Sequence, residues 1–176
     1  MKQILILAFI YFISGCGFKP LYIQNSSQNI YGEQTQNQSI INELAQIKIT
    51  PISGRFGQQI RNKLLDLLTP KGAPANAKYR LDVKLVKKTV SQQAMRDDVT
   101  ATSEKVNYTV AYKLFEGSKK LVSGDAFAIV SYNILNNPYS TTMSQKKSEE
   151  NAANIIANDI ALRLGAYFHF DKNEIK

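Results

Sequence analysis

The sequence predicts an α+β fold, a two-layer sandwich in which two helices lie on a four-stranded mixed sheet, in the order β-α-β-β-β-α. Three patterns carry that expectation. Tyr79, Leu81, Val83 and Leu85 alternate with Arg80, Asp82 and Lys84, and Val106, Tyr108, Val110, Tyr112 and Leu114 repeat the same period of two. This is the signature of strands with one buried face. Phe56, Ile60, Leu64 and Leu67 or Leu68 recur at helical spacing, as do Ala153, Ile156, Ile160, Leu164 and Tyr167. Striped helices and one-faced strands must bury their apolar sides against each other, which gives two layers around one core.

The elements follow in chain order. Gln46 to Ile52 alternates and reads as a strand, which Pro51 ends or confines to an edge because it has no N–H to donate. Ser53 is the expected N-cap of a helix over about 55–68, and Thr69-Pro70-Lys71-Gly72 stops that helix. The clearest strand starts at Tyr79. Lys87, Lys88 and residues 91–98 are expected to leave it as a polar loop. A third strand runs over about 100–115, Glu116-Gly117-Ser118-Lys119 turns the chain, and a fourth runs over about 120–132. On that strand Gly124, Ala126 and Ala128 are small enough to lie under a helix. Asn136-Asn137-Pro138 breaks it, and a last helix begins near Thr142, where Thr142-Met143-Ser144-Gln145 fits a capping box. The first helix can cross over with the usual right hand, making the first two strands parallel and leaving an antiparallel meander. The pattern does not give the strand order.

Upstream of this domain, residues 24–39 hold eleven Gln, Asn or Ser in sixteen positions. Such composition buries too little apolar surface to offset chain entropy. A coil from Cys16 to about residue 46 would span on the order of 30 Å. The alternative is an edge strand near its end, where Ile40, Ile41 and Leu44 stand. At the start, Met1-Lys2 and the apolar run from Ile4 to Ile13 are too short to span a bilayer, which takes about 20 residues, and have the form of a secretory signal. Ser14 and Gly15 sit directly before Cys16, the only cysteine. That arrangement is a lipobox. Its thiol becomes a thioether to diacylglycerol, the peptide is cut before Cys16, and the new amino group is acylated. An ordinary signal peptide beside an incidental cysteine is the other reading. The expected organisation is a lipoprotein signal peptide over 1–15, a lipidated polar tether over 16–45, one α+β domain over 46–170 and a tail over 171–176.

Charge is uneven. The chain carries a formal +8, and residues 46–98 hold eleven Lys or Arg against four Asp, while residues from 99 onward hold nine basic against eight acidic. A basic field points to nucleic acid, anionic membrane or an anionic ligand. Export removes nucleic acid and leaves phosphorylated lipid, with a merely solubilising charge as the alternative. With Cys16 lipidated, no thiol remains for a disulfide or a thiolate metal site, and no cofactor motif is present. One histidine, His169, makes neither a metal cluster nor a triad. A binding protein is therefore expected before an enzyme.

Two motifs carry a family resemblance. Gly15-Cys16-Gly17-Phe18-Lys19-Pro20-Leu21-Tyr22 resembles the mature start of LptE (RlpB), the lipoprotein of the outer-membrane lipopolysaccharide translocon. Ser131-Tyr132-Asn133, Asn137-Pro138-Tyr139 and Leu162-Arg163-Leu164-Gly165-Ala166-Tyr167-Phe168 match further along in the expected order. The resemblance implies the same α+β arrangement and no catalysis. It also implies an LptD-type β-barrel as partner, which the chain would plug and help assemble, and lipopolysaccharide as ligand. Anchored on the periplasmic face, the chain would be sorted to the outer membrane, since Gly17 and not Asp follows Cys16. Arg96 is the nearest match to the basic loop residue on which the family's lipopolysaccharide binding depends. Lys87, Lys88, Lys146 and Lys147 are basic candidates for the same phosphates, if the fold brings them together. Two other functions stand beside this one, an accessory outer-membrane lipoprotein adaptor for another envelope machine and a small hydrolase using His169.

Overall fold

The structure, a computed structural model, describes residues 33–95 and 101–174. Cys16, the signal and Arg96 lie outside the described residues. The elements are α1 (Glu33–Leu44), β1 (Ile47–Ile49), α2 (Gly54–Leu68), β2 (Tyr79–Met95), β3 (Ala101–Glu116), β4 (Lys119–Asn133) and α3 (Pro138–Glu174). The sheet order is β1-β2-β3-β4, with β1 parallel to β2 and the rest antiparallel. This is the expected mixed α+β sandwich, and the connections produce its strand order by the shortest route.

Core formation follows the alternation. Leu81, Val110, Leu114, Ala126 and Ala128 on the sheet meet Ile60 and Leu64 of α2 and Ile156, Ile160 and Leu164 of α3, all buried. The small residues of β4 lie beneath α3, as their size predicts. Gly57 lets α2 approach the preceding loop, because a Cβ there would stand 2.5 Å from Ile52 Cγ2. Gly117, with φ +57°, forms the two-residue turn between β3 and β4. β1 stops after three residues, although Thr50 still donates its N–H and its hydroxyl to Leu81 O at 3.0 and 3.1 Å. Pro51 has no N–H with which to continue.

Four expectations need correction. The polar stretch read as a coil is helical from Glu33 to Leu44. Its short apolar stripe, Ile40 and Leu44, packs on the core, Gln38 donates to Asn42 one turn on at 3.3 Å, and Glu43 accepts from Tyr79 OH at 2.9 Å. Docking, not propensity, accounts for so polar a helix. The expected β2–β3 loop is strand through Met95, and Lys87 and Lys88 lie within it. Ladder hydrogen bonds to β3 satisfy the backbone of a polar sequence that shows no alternation by eye. The last helix begins at Pro138, not Thr142. Asn137 caps it, its Oδ1 accepting from the N–H of Tyr139 at 2.9 Å and of Ser140 at 3.5 Å, while Pro138 takes the position where a missing N–H costs nothing. Thr142 instead donates to Pro138 O at 3.0 Å from inside the helix. The expected tail is helical through Glu174. In addition, Ser53 stands at the N-cap of α2 but makes no side-chain capping bond.

Because Leu81 is fully buried, Leu81→Ala is expected to destabilise the domain by about 2–5 kcal/mol. Lys84→Ala, on the exposed face, is expected to change stability by less than about 0.5 kcal/mol. Denaturant melts of the two variants check this, and equal midpoints would mean that the faces of β2 are assigned wrongly.

Candidate functional site: a basic cluster where helix cover ends

The β2–β3 hairpin is longer than the helix that covers it. Phe56, in the first turn of α2, stacks on Tyr108 with ring centroids 4.2 Å apart, and Tyr108 pairs with Lys88 across the ladder. Cover from α2 therefore ends at the level of Lys88. Two residues further along, Val90 is half exposed although it pairs with buried Val106.

A bulge between Leu85 and Lys87 decides which lysine enters this region. Leu85 pairs with Val110 and Lys88 with Tyr108, both on the helix-covered face, while Lys87 pairs with Thr109 on the other face. The extra residue reverses the alternation. Without it, Lys88 would point away from the helices.

Lys88 Nζ lies 3.4 Å from Glu149 Oε1 and 5.4 Å from the centre of the Tyr108 ring. Arg55 Nη2 lies 2.7 Å from Glu149 Oε2. One carboxylate, its side chain only 18% exposed, thus joins α3 to α2 and to β2. Arg55 sits in the first turn of α2, where the helix dipole disfavours a cation and no acidic residue of α2 compensates. Glu149 supplies that negative charge from another element. Lys146 lines an open groove with Arg55 and Glu149, and a second groove of about 420 Å³ with Arg55, Gln59, Met143, Lys147 and Glu150. Lys147 is paired with Glu150 at 3.0 Å.

Further up the same face Tyr132 donates its hydroxyl to Glu104. Burial, and then this bond, push the Tyr132 phenol up to about 12. Burial likewise raises Tyr108, opposed by the Lys88 charge. Both phenols stay neutral at physiological pH. At the opposite end of the sheet a further groove holds Lys48, Lys78 and Arg80, of which the last two have acidic partners. Lys78 is 3.7 Å from Glu43 and 3.6 Å from Glu116, and Arg80 is 3.4 Å from Asp82 and lies over Phe115.

Of the five basic candidates, the fold gathers Lys88 and Lys146 around Arg55 and Glu149 and sets Lys147 beside them. Lys87 is on the opposite sheet face, and Arg96 lies outside the described residues. His169 is exposed against Phe170, with ring centroids 5.3 Å apart. Arg55 and Glu149 are not among the sequence candidates, since each alone is an ordinary helix-surface residue. A cation in an otherwise acid-free first turn was the available signal, since that position calls for a partner from elsewhere.

The sequence model of the lipopolysaccharide-assembly family LptE matches residues 44–166. The chain belongs to that family. It is also 29% identical, over 89% of its length and 90% of the other, to an uncharacterized protein of Rickettsia prowazekii. Its fold resembles that of a lipoprotein from Caulobacter crescentus, with a TM-score of 0.63 at 21% identity over 75% of this chain and 97% of that one. It also resembles rare lipoprotein B from Shewanella oneidensis, with a TM-score of 0.51 at 11% identity over 72% and 98%. The family match runs from the end of α1 through the four strands and α2 and into α3, so it takes in most of the second motif, while the first motif with Cys16 lies outside it.

The raised Tyr132 pKa carries a sign. Stability from the protonated phenol is fully present below about pH 10 and is lost as pH rises toward about 12. An ultraviolet titration is expected to show late-ionising phenols, of which Tyr132→Phe removes the component near pH 12, with alkaline melting made less steep in the same variant. A titration unchanged by the substitution would refute this assignment.

Proposed function

We propose that the chain is a non-catalytic lipoprotein subunit of an outer-membrane lipopolysaccharide translocon. Lipid on Cys16 holds it at the periplasmic face, and an LptD-type β-barrel is its partner, which it plugs and helps to assemble. Lipopolysaccharide is bound for delivery to the outer leaflet. The family match over the folded domain is the observation that carries this reading. The face of the sheet away from the helices adds support. Val86, Phe127 and Ile129 are exposed there, at 60%, 56% and 62%, and exposed apolar groups on one face favour a packing role. The basic cluster adds a chemical reason for lipopolysaccharide. Guanidinium and ammonium groups at the end of an incompletely covered sheet suit phosphates attached to an apolar body. Arg96 is a further candidate for the same phosphates. Lys87, on the other face of the sheet, stands apart from this cluster.

The test is native purification of the full chain through a C-terminal tag. A large β-barrel is expected to co-purify. Recovery of a different envelope machine, with no barrel, would favour the adaptor reading and overturn this one. The anchor is checked separately. Several acyl chains hold a protein firmly where one gives only marginal binding. Cys16→Ala is therefore expected to yield an uncleaved or soluble form. Outer-membrane fractionation of that variant in cells lacking the barrel would exclude Cys16 as the anchor.

A further inference from the structure

Glu149 is placed as a bound anion would be. Its two oxygens are divided between Arg55 at 2.7 Å and Lys88 at 3.4 Å, on two different elements, and its side chain is largely shielded. Lys146 lines the same groove without an ion-pair partner among the described residues. The next groove along α3 adds an apolar wall. Met143 lines it beside Arg55 and Lys146, and Tyr139 stands one turn before Met143 on the same helix stripe, 72% exposed. Leu135, just before the helix, is half exposed as well. Cations clustered at one end of an exposed apolar stripe match a phosphate carried on an amphiphile.

We propose that Arg55, Lys88 and Lys146 form a phosphate subsite for a phosphorylated amphiphile, and that the Glu149 carboxylate is the resident anion which that phosphate displaces. This deepens the lipopolysaccharide-binding reading and rests on it. A phosphate monoester brings up to two negative charges and three accepting oxygens, against one charge and two oxygens for the carboxylate. It can therefore meet Arg55, Lys88 and Lys146 together. Displaced Glu149 swings outward from α3, about three turns from its start. The ion pairs among α2, α3 and β2 are thus made in the empty state and replaced by ligand bonds in the filled one. Binding is weakened by the carboxylate that has to leave, so neutralising that carboxylate strengthens binding, which a purely structural bridge would not do.

The experiment uses the full lipidated chain in non-ionic detergent, with intact lipopolysaccharide, dephosphorylated lipopolysaccharide and inorganic phosphate as probes. Glu149→Gln is expected to tighten binding of intact lipopolysaccharide by about fivefold to tenfold, and Arg55→Gln or Lys88→Gln to weaken it by a similar factor. Lys87→Gln, with the same charge change on the other sheet face, is the control and is expected to change affinity less than about twofold. Dephosphorylated lipopolysaccharide is expected to respond to none of these substitutions. If Glu149→Gln binds no tighter than the parent while melting at the same temperature, the resident-anion proposal is overturned and the bridge is structural. If Glu149→Gln does not fold, equal losses in Lys88→Gln and Lys87→Gln overturn the subsite, and a loss confined to Lys88→Gln supports it. Inorganic phosphate bound by Glu149→Gln, with no lipopolysaccharide bound by any form, overturns the amphiphile. Binding of lipopolysaccharide by the parent, insensitive to Arg55, Lys88 and Glu149 alike, overturns the subsite and leaves the lipopolysaccharide reading standing. No binding of any probe overturns both.

Discussion

A strand advances about 3.3 Å per residue and a helix about 1.5 Å, and a sheet covered by helices has to absorb that difference. Helix α2 has 15 residues and β2 has 17, so α2 covers about 22 Å of a strand about 56 Å long. Only α3, with 37 residues, reaches a comparable length, and it lies chiefly over β4. The lower half of the sheet is therefore roofed by two helices and supplies most of the core. The upper half of β2 keeps its ladder to β3 but loses its roof beyond Phe56. A half-roofed hairpin gains little from more apolar side chains, which matches the turn to Lys88, Gln92 and Gln93 beyond Leu85.

The bulge after Leu85 follows from the same geometry. A strand with strict alternation would carry Lys87 onto the helix side and Lys88 onto the open side. One extra residue exchanges the two, putting the ammonium of Lys88 over the Tyr108 ring and within reach of α3. Val86, the extra residue of the bulge, is itself exposed and adds to the apolar surface shared with Phe127 and Ile129. A single inserted position thus contributes to two surfaces, a charged one under the end of α3 and an apolar one on the far side. The binding and packing parts of the proposed function fall on opposite faces of one sheet, so both partners can be engaged at once.

Where apolar periodicity was strong, the sequence was legible. Tyr79 to Leu85, Val106 to Leu114, Phe56 to Leu68 and Ala153 to Leu164 announced their elements and their buried faces. Parallel pairing of the first two strands followed from the handedness of the crossover. The failures share one cause, stability that comes from a neighbour and leaves no local pattern. Helix α1 depends on Ile40, Leu44 and Glu43 meeting the core. The upper part of β2 depends on β3 for its hydrogen bonds. The site was harder still, because Arg55 and Glu149 are far apart in the chain and each is an ordinary helix surface residue when read alone. Lys88 was legible as a candidate, but choosing it over Lys87 required a bulge that nothing in the local sequence marks.

The charge on α2 brings fold and function to the same place. The helix opens with Ser53, which makes no capping bond, and with Arg55, whose charge opposes the dipole, so its N-terminus lacks negative charge from its own sequence. An exposed ion pair would repair this weakly, by about 0–1 kcal/mol. Glu149 is shielded and touches two cations, so removing it leaves Arg55 and Lys88 facing each other near a helix end that is itself positive. The fold consequently requires an anion at this point, but it does not require that the anion be a carboxylate. A phosphate group from outside meets the same requirement with more charge and more acceptors. A position where negative charge favours the folded state, and where a single side chain supplies it, is one where an external anion can take that side chain's place. Such competition would allow release as well as capture, which suits the proposed role of passing a bound lipid on.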